Sequence, residues 1–132
     1  MIKHALNPEH LESDVVVTGL LECLDTLPNP AFIKNREGVY LFVNKELESF
    51  WEKAKEEVIG KADLDFLPFS EASDCNKSDQ KAWQNPTGIT TSYETQNCEY
   101  NRKVKRYITI NKRITQTSLG EFLIGLVNVL EV

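Results

Sequence analysis

Histidine is nearly missing from this chain. Among 132 residues there are only His4 and His10, both ahead of the segment that reads as folded. Acid–base or nucleophilic chemistry built on a histidine is therefore excluded from that segment. Cysteine is almost as sparse. Cys23, Cys75 and Cys98 lie far apart, no pair has CxxC spacing, and an odd number leaves one unpaired. That excludes a zinc ribbon and a disulfide framework, and reduced thiols in a cytosol are the simplest account. No apolar run approaches the ~20 residues of a membrane span. The opening MIKHALNPEHLE lacks the apolar core of a signal peptide, so the chain is expected to be cytoplasmic and Asn76-Lys77-Ser78 carries no meaning as a glycosylation sequon. GxSxG, P-loop and GxGxxG motifs are absent, as are internal repeats and low-complexity tracts. Positive charge is also short: 15 Lys and Arg stand against 20 Asp and Glu, a net charge of −5. Such a surface repels phosphate backbones, which argues against direct nucleic-acid contact. The basic cluster Arg102, Lys103, Lys105 and Arg106, with Lys112 and Arg113 beyond it, could form an anion patch, and a solvated strand face fits it better.

What remains is an ordinary globular balance, 41% hydrophobic and 27% charged, in a length that fits one domain. Asn7-Pro8-Glu9 has the form of a helix start, and Val17, Leu20, Leu21, Leu24 and Leu27 follow at helical spacing until Pro28 and Pro30. The β-branched run Val15 to Thr18 and Gly19 work against that helix. Its stripe has two destinations, the domain's own sheet or a second subunit. Ala31 to Lys34 reads as a strand, Asn35 to Gly38 as a hairpin turn and Val39 to Val43 as the return strand. Asn44 is placed to cap a helix running to about Ala54, with Leu47, Phe50 and Trp51 on one face. Lys55 to Ile59 forms a short helical turn closed by Gly60. Asp63 and Asp65 stand at i and i+2, a spacing compatible with a hard cation, but the further oxygen ligands and the turn glycine of a Ca²⁺ loop are lacking. Turn and cap roles fit them better, and no metal site is expected. Ser70 to Gln84 reads as a polar helix capped by Ser70 and broken by Asn85-Pro86-Thr87-Gly88. Thr90 to Gln96 and Lys103 to Thr115 are strand-like, the second with Ile108, Ile110 and Ile114 on one side and Tyr107, Thr109 and Asn111 on the other. Phe122 to Leu130 is the most apolar strand and reads as central.

Strand, strand, short helices, then three strands is the resulting order. With the segments LPNPAFIKNREGVYLFVNKELESF, EEVIGKADLDFLP, RYITINKRI and FLIGLVNVL, the chain resembles a PAS sensory domain from Leu27 to Leu130. The resemblance implies an α+β fold: a five-stranded antiparallel sheet with helices on one face around a small cavity, preceded by an N-terminal amphipathic helix. It divides the chain into residues 1–26, a helix available for dimerisation, and residues 27–132, the sensor domain. It further implies a homodimer through Val17, Leu20, Leu21 and Leu24. The chain would then be the N-terminal piece of a bacterial-type signalling or transcription regulator, with a C-terminal effector. Two departures stand out. Many members close their last strand with Asp-Ile-Thr, where this chain has Val129-Leu130-Glu131. The family's haem histidine lies on the later helices, where this chain has none, and Cys75 in SDCNKSD lacks the aromatic and the Gln of the flavin photosensor motif. Haem with a His ligand and a photoactive flavin are thus disfavoured, and no motif specifies another cofactor.

A cavity between sheet and helices would take its walls from Phe32, Phe42, Phe50, Phe66, Tyr93, Tyr107, Thr109 and Asn128, an apolar set with a few polar groups, as small-molecule sites have. Trp51 and Trp83 read as core or interface aromatics. The expected function is sensing of a small molecule there, without enzymatic activity. A ligand-free dimerisation module uses the same fold. A cone-shaped α+β isomerase or dehydratase with Asp63 or Asp65 as base is the rival enzyme class, and the hairpin ahead of the helices fits it poorly.

Overall fold

The computed structural model describes residues 8–97 and 105–130. Five strands, β1 (Ala31–Lys34), β2 (Tyr40–Val43), β3 (Ile89–Asn97), β4 (Lys105–Thr117) and β5 (Gly120–Leu130), make one antiparallel sheet in the order β2-β1-β5-β4-β3. The most apolar strand is the central one: β5 pairs with β1 on one side and β4 on the other. Phe122 and Leu123 point to opposite faces and both are fully buried, while the strand's far end from Asn128 to Leu130 is exposed.

Helices α2 (Lys45–Trp51) and α3 (Phe69–Trp83) and short 3-10 turns at Lys55–Glu57 and Asp63–Asp65 cover one face, called inner below. Some boundaries differ from the sequence reading. Helix α2 stops at Trp51 because Glu52 takes the left-handed conformation, φ 54°, and turns the chain early. Ser70 is not a cap: α3 begins at Phe69, with Pro68 in the capping place and no side-chain cap bond. Proline has no N–H to satisfy and its fixed φ suits the entry.

Helix α1 (Val15–Asp25) lies on the outer face, after a 3-10 turn at Pro8–Ser13. The expected single helix breaks at Asp14, whose carboxylate accepts the Val17 N–H at 3.0 Å and caps α1 despite the β-branched run. Asn7 lies outside the described residues. The Ser118 hydroxyl also donates to Asp14, tying the start of α1 to the β4–β5 turn. That bond, and the Val17 N–H after it, hold the Asp14 carboxyl below the usual carboxylate range. The apolar stripe of α1 goes to the chain's own sheet. Val17 and Leu24 are buried and Leu20 and Leu21 half-buried against Ile33, Leu41 and Phe122. The helix is thus part of the same packed body as the strands, and its exposed apolar residues are Val15 and Val16.

Asn44 joins three of these elements. Fully buried, its Oδ1 accepts the N–H of Leu47 at 3.0 Å and of Ala31 at 2.9 Å. Its Nδ2 donates to the carbonyls of Leu24 at 2.8 Å and Asn29 at 2.9 Å. The cap read from sequence is therefore also a clamp on the end of α1 and the start of β1. Asn44→Ala is expected to cost about 2–3 kcal/mol, a lost cap plus buried backbone groups left without partners, measured as a lower urea midpoint at unchanged m-value.

Candidate functional site

The inner face carries charge at its centre. Alternation along the strands turns Phe32 and Lys34 inward from β1, Ile108, Ile110, Lys112 and Ile114 from β4, and Leu123, Gly125 and Val127 from β5, and an irregularity in the β1–β2 pairing lets both Tyr40 and Val43 of β2 join them. Helix α3 presents a stripe at helical spacing made of small and polar residues: Ala72, Cys75, Ser78, Asp79 and Ala82. Small residues let the helix sit close to the sheet, so its polar atoms meet the two lysines directly.

Lys34 Nζ lies 2.6 Å from Asp63 and 2.8 Å from Asp79. Lys112 Nζ reaches the other oxygen of Asp79 at 2.7 Å and bonds the Ser78 hydroxyl, with Glu94 at 3.8 Å. Both lysines are 1% exposed. The Tyr40 hydroxyl donates to Asp63, and the Cys75 thiol donates to Glu94 at 3.1 Å. Among the described residues no buried side-chain nitrogen or oxygen lacks a hydrogen-bond partner. The lysines stand on β1 and β4, either side of central β5, so Asp79 bridges over that strand and fastens α3 to both neighbours. The Lys34 ammonium also lies 4.7 Å from the Tyr40 ring centroid and 5.3 Å from that of Phe32.

Burial pushes the Lys34 ammonium down, but Asp79 and Asp63 more than reverse this and hold it above the ordinary lysine range. Burial pushes Asp79 up; Lys34 and Lys112 prevail and hold its carboxyl below the usual range. Burial, then the Asp63 charge, raises the Tyr40 phenol, and burial, then Asp63 and Glu94, raises the Cys75 thiol. The thiol stays protonated and is a poor nucleophile. A depressed carboxylate stabilises the fold above its unfolded value, about 3.9, and that contribution fades as pH falls through the folded value. Asp79→Asn is therefore expected to lower stability at pH 7 and to flatten its loss under acid, read as urea midpoints from pH 7 down to pH 2.

Charged residues were the part of this site that the sequence reading missed. Lys112, expected on a solvated face, is buried, because its even register puts it beside Ile110 and Ile114. Arg113, one residue on, is exposed and donates to the Thr87 carbonyl at 3.1 Å. Arg102 and Lys103 lie outside the described residues. Asp63, expected in a turn or cap role, is buried as a partner of Lys34 and Tyr40, while Asp65 does cap its turn by accepting the Ala62 N–H at 2.9 Å.

The eight candidate wall residues do not share one cavity. Phe32 is buried on the inner face, and Phe50 and Phe66 are half-buried against the same core. Rings of Tyr40, Trp51 and Phe66 pack against one another at centroid distances of 5.3–5.7 Å. Phe42 packs with the outer cluster that includes Val17 and Leu24 of α1. Tyr93, Tyr107, Thr109 and Asn128 share the outer face of β3, β4 and β5, where Tyr93 is 80% exposed. The odd positions of β4 face away from α3, which separates these four from the cup.

One open space on the inner side lies at the edge of the cup. A cavity of about 340 Å³ is bounded by the hairpin at Glu37 and Gly38, by Ala62, Asp63 and Leu64, and by Phe69, Ala72, Ser73, Asn76 and Asp79 of α3. Asp63 and Asp79, the two carboxylates that hold Lys34, belong to its wall. Among the described residues no group of three or more His, Cys, Asp or Glu is placed to hold a metal ion, and no helix is long and apolar enough to cross a membrane.

Comparison with known proteins bears on this geometry. A family model described as PAS fold matches residues 24–130. A PAS domain from a two-component sensor histidine kinase superposes with a TM-score of 0.66 at 13% identity, over 89% of this chain and 99% of that one. The PAS domain of an HTR-like protein from Haloarcula marismortui gives 0.69 at 11% identity, over 92% and 96%. The PAS-B domain of Drosophila melanogaster Cycle, with bound ethylene glycol, gives 0.61 at 14% identity, over 76% and 99%. No curated protein matches the chain.

Proposed function

This chain belongs to the PAS-fold family, and on that premise we propose that it is a non-enzymatic sensory module whose ligand enters the cavity beside Asp63 and Asp79. The observation that carries the reading is the shared wall: the carboxylates that border the cavity are those that hold Lys34, and one of them also holds Lys112. A ligand seated there meets polar groups on one side and Leu64, Phe69 and Ala72 on the other, the mixed lining of a small-molecule site. Small molecules bearing hydroxyl or amine groups suit Asp63, Asp79, Ser73 and Asn76. By favouring one arrangement of Asp79, the ligand shifts α3 relative to β1 and β4, and it does so only through its differential affinity for two arrangements. Central β5 then carries the change toward a C-terminal effector.

The test is a screen of ethylene glycol, small polyols and amino alcohols against ¹⁵N-labelled protein by NMR. Binders are expected to move the amides of Ala62–Leu64 and Phe69–Asp79 first. Binders that instead cluster on Tyr93, Tyr107, Thr109 and Asn128 would overturn the assignment of the cavity.

A ligand-free dimerisation module is the second reading, favoured by the mutual packing of the Tyr40, Trp51 and Phe66 rings on the inner face. A homodimer through α1 would use its exposed side at Val15 and Val16, because Val17 and Leu24 are committed to the chain's own sheet.

A further inference from the structure

At the β2 edge of the sheet, the groove between α1 and α2 shares no lining residue with the cavity above, and we propose that it binds a small amphipathic organic cation. The groove runs beside edge strand β2 and encloses about 850 Å³, within the roughly 300–1,000 Å³ of small-molecule sites. Its floor is apolar: Leu11, Leu41 and Val43 are buried there, and Leu21, Phe42 and Ile59 are half-buried. That is a wall for an alkyl or aryl body.

Charge at the rim decides what the head group must be. Four carboxylates, Glu9, Glu22, Asp25 and Glu48, face two ammonium groups, Lys45 and Lys55. The lining is therefore net negative by two charges. Asp25 is held in place by the Lys45 backbone N–H, which donates to it at 3.1 Å. Glu9, Glu22 and Glu48 make no ion pair with the described residues. They come from the 3-10 turn at Pro8–Ser13, from α1 and from α2. A cation above an apolar floor offsets the net negative charge of this lining while its body displaces water from Phe42 and Leu21. An anion of the same shape adds to the net negative charge. Concavity and volume favour a small molecule over a protein surface, which would need a broader, flatter face.

Octylammonium, octanol and octanoate are matched probes, identical in body and differing in head charge. Titrated into the protein at low ionic strength, octylammonium is expected to bind about tenfold tighter than octanoate, with octanol between, and to move the amides of Leu41 and Phe42. The double variant Glu22→Gln, Glu48→Gln alters only rim side chains. It should bring octylammonium down to the affinity of octanol and leave octanol unchanged. Equal binding of all three probes would overturn the charge assignment. No saturable binding, or shifts at Asp63 and Asp79 in place of Leu41 and Phe42, would overturn the site itself.

Discussion

Asp79→Ala is expected to remove about 3–5 kcal/mol of stability, the range found when one partner of a buried ion pair is deleted. Total stabilities near 5–15 kcal/mol make that a large fraction of the fold. Among the described residues, Asp79 is the one carboxylate that both buried lysines share. Its removal leaves Lys34 with Asp63 alone and Lys112 with the Ser78 hydroxyl and Glu94 at 3.8 Å. Most of the loss is the penalty of an under-compensated buried ammonium rather than the strength of a bond. Asp79→Leu combined with Lys112→Met should consequently be more stable than Asp79→Ala alone, because apolar groups of similar volume remove the charge together with its partner. Urea unfolding of the two variants decides this. A loss below about 1 kcal/mol for Asp79→Ala would mean that the lysines reach water as exposed pairs do.

Phe32→Ala should cost a similar amount, about 3–5 kcal/mol, as a buried aromatic replaced by a cavity. The position has a specific partner that makes the prediction sharper. Gly125 on β5 pairs with Phe32 on β1 and with Lys112 on β4, and a Cβ built at Gly125 would overlap the Phe32 ring. The missing side chain is what lets the ring lie across the central strand. Gly125→Ala alone is therefore expected to cost about 1–3 kcal/mol through overpacking. In the double variant the new methyl enters space the ring has left, so the two losses should fall short of their sum. Additive losses would show that the strands move apart instead.

How much of this was legible in the sequence follows from which residue types carry each feature. Pro28, Gly38, Asn44 and Gly60 punctuate the chain, and the order of elements between them gave the fold. The α1 stripe was legible as a stripe, but helical spacing alone does not say which surface it meets. The ionic centre was hidden by composition. Lys112 lies in register with Ile108, Ile110 and Ile114, and that alternation held the clue; the neighbouring basic residues made it look like surface. Lys34 shares its parity with Phe32 in a four-residue strand, too short to set a pattern. Asp79 sits on an α3 stripe of Ala, Cys and Ser, which a search for large apolar residues passes over. Placing Tyr107 and Thr109 in the cup went astray for the opposite reason: with the isoleucines assigned to one side of β4, their odd positions belonged to the other.

The most direct test of the coupling between cavity and sheet is hydrogen–deuterium exchange on Ser73→Trp, whose indole fills the cavity as a tethered stand-in for a ligand, in the wild-type and Asp79→Asn backgrounds. If Asp79 links the cavity to the sheet, Ser73→Trp alters exchange in β1 and β4 as well as around α3, and Asp79→Asn confines the change to α3 and the Ala62–Leu64 segment. Exchange that changes only beside the indole in both backgrounds would contradict a sensory route through Asp79.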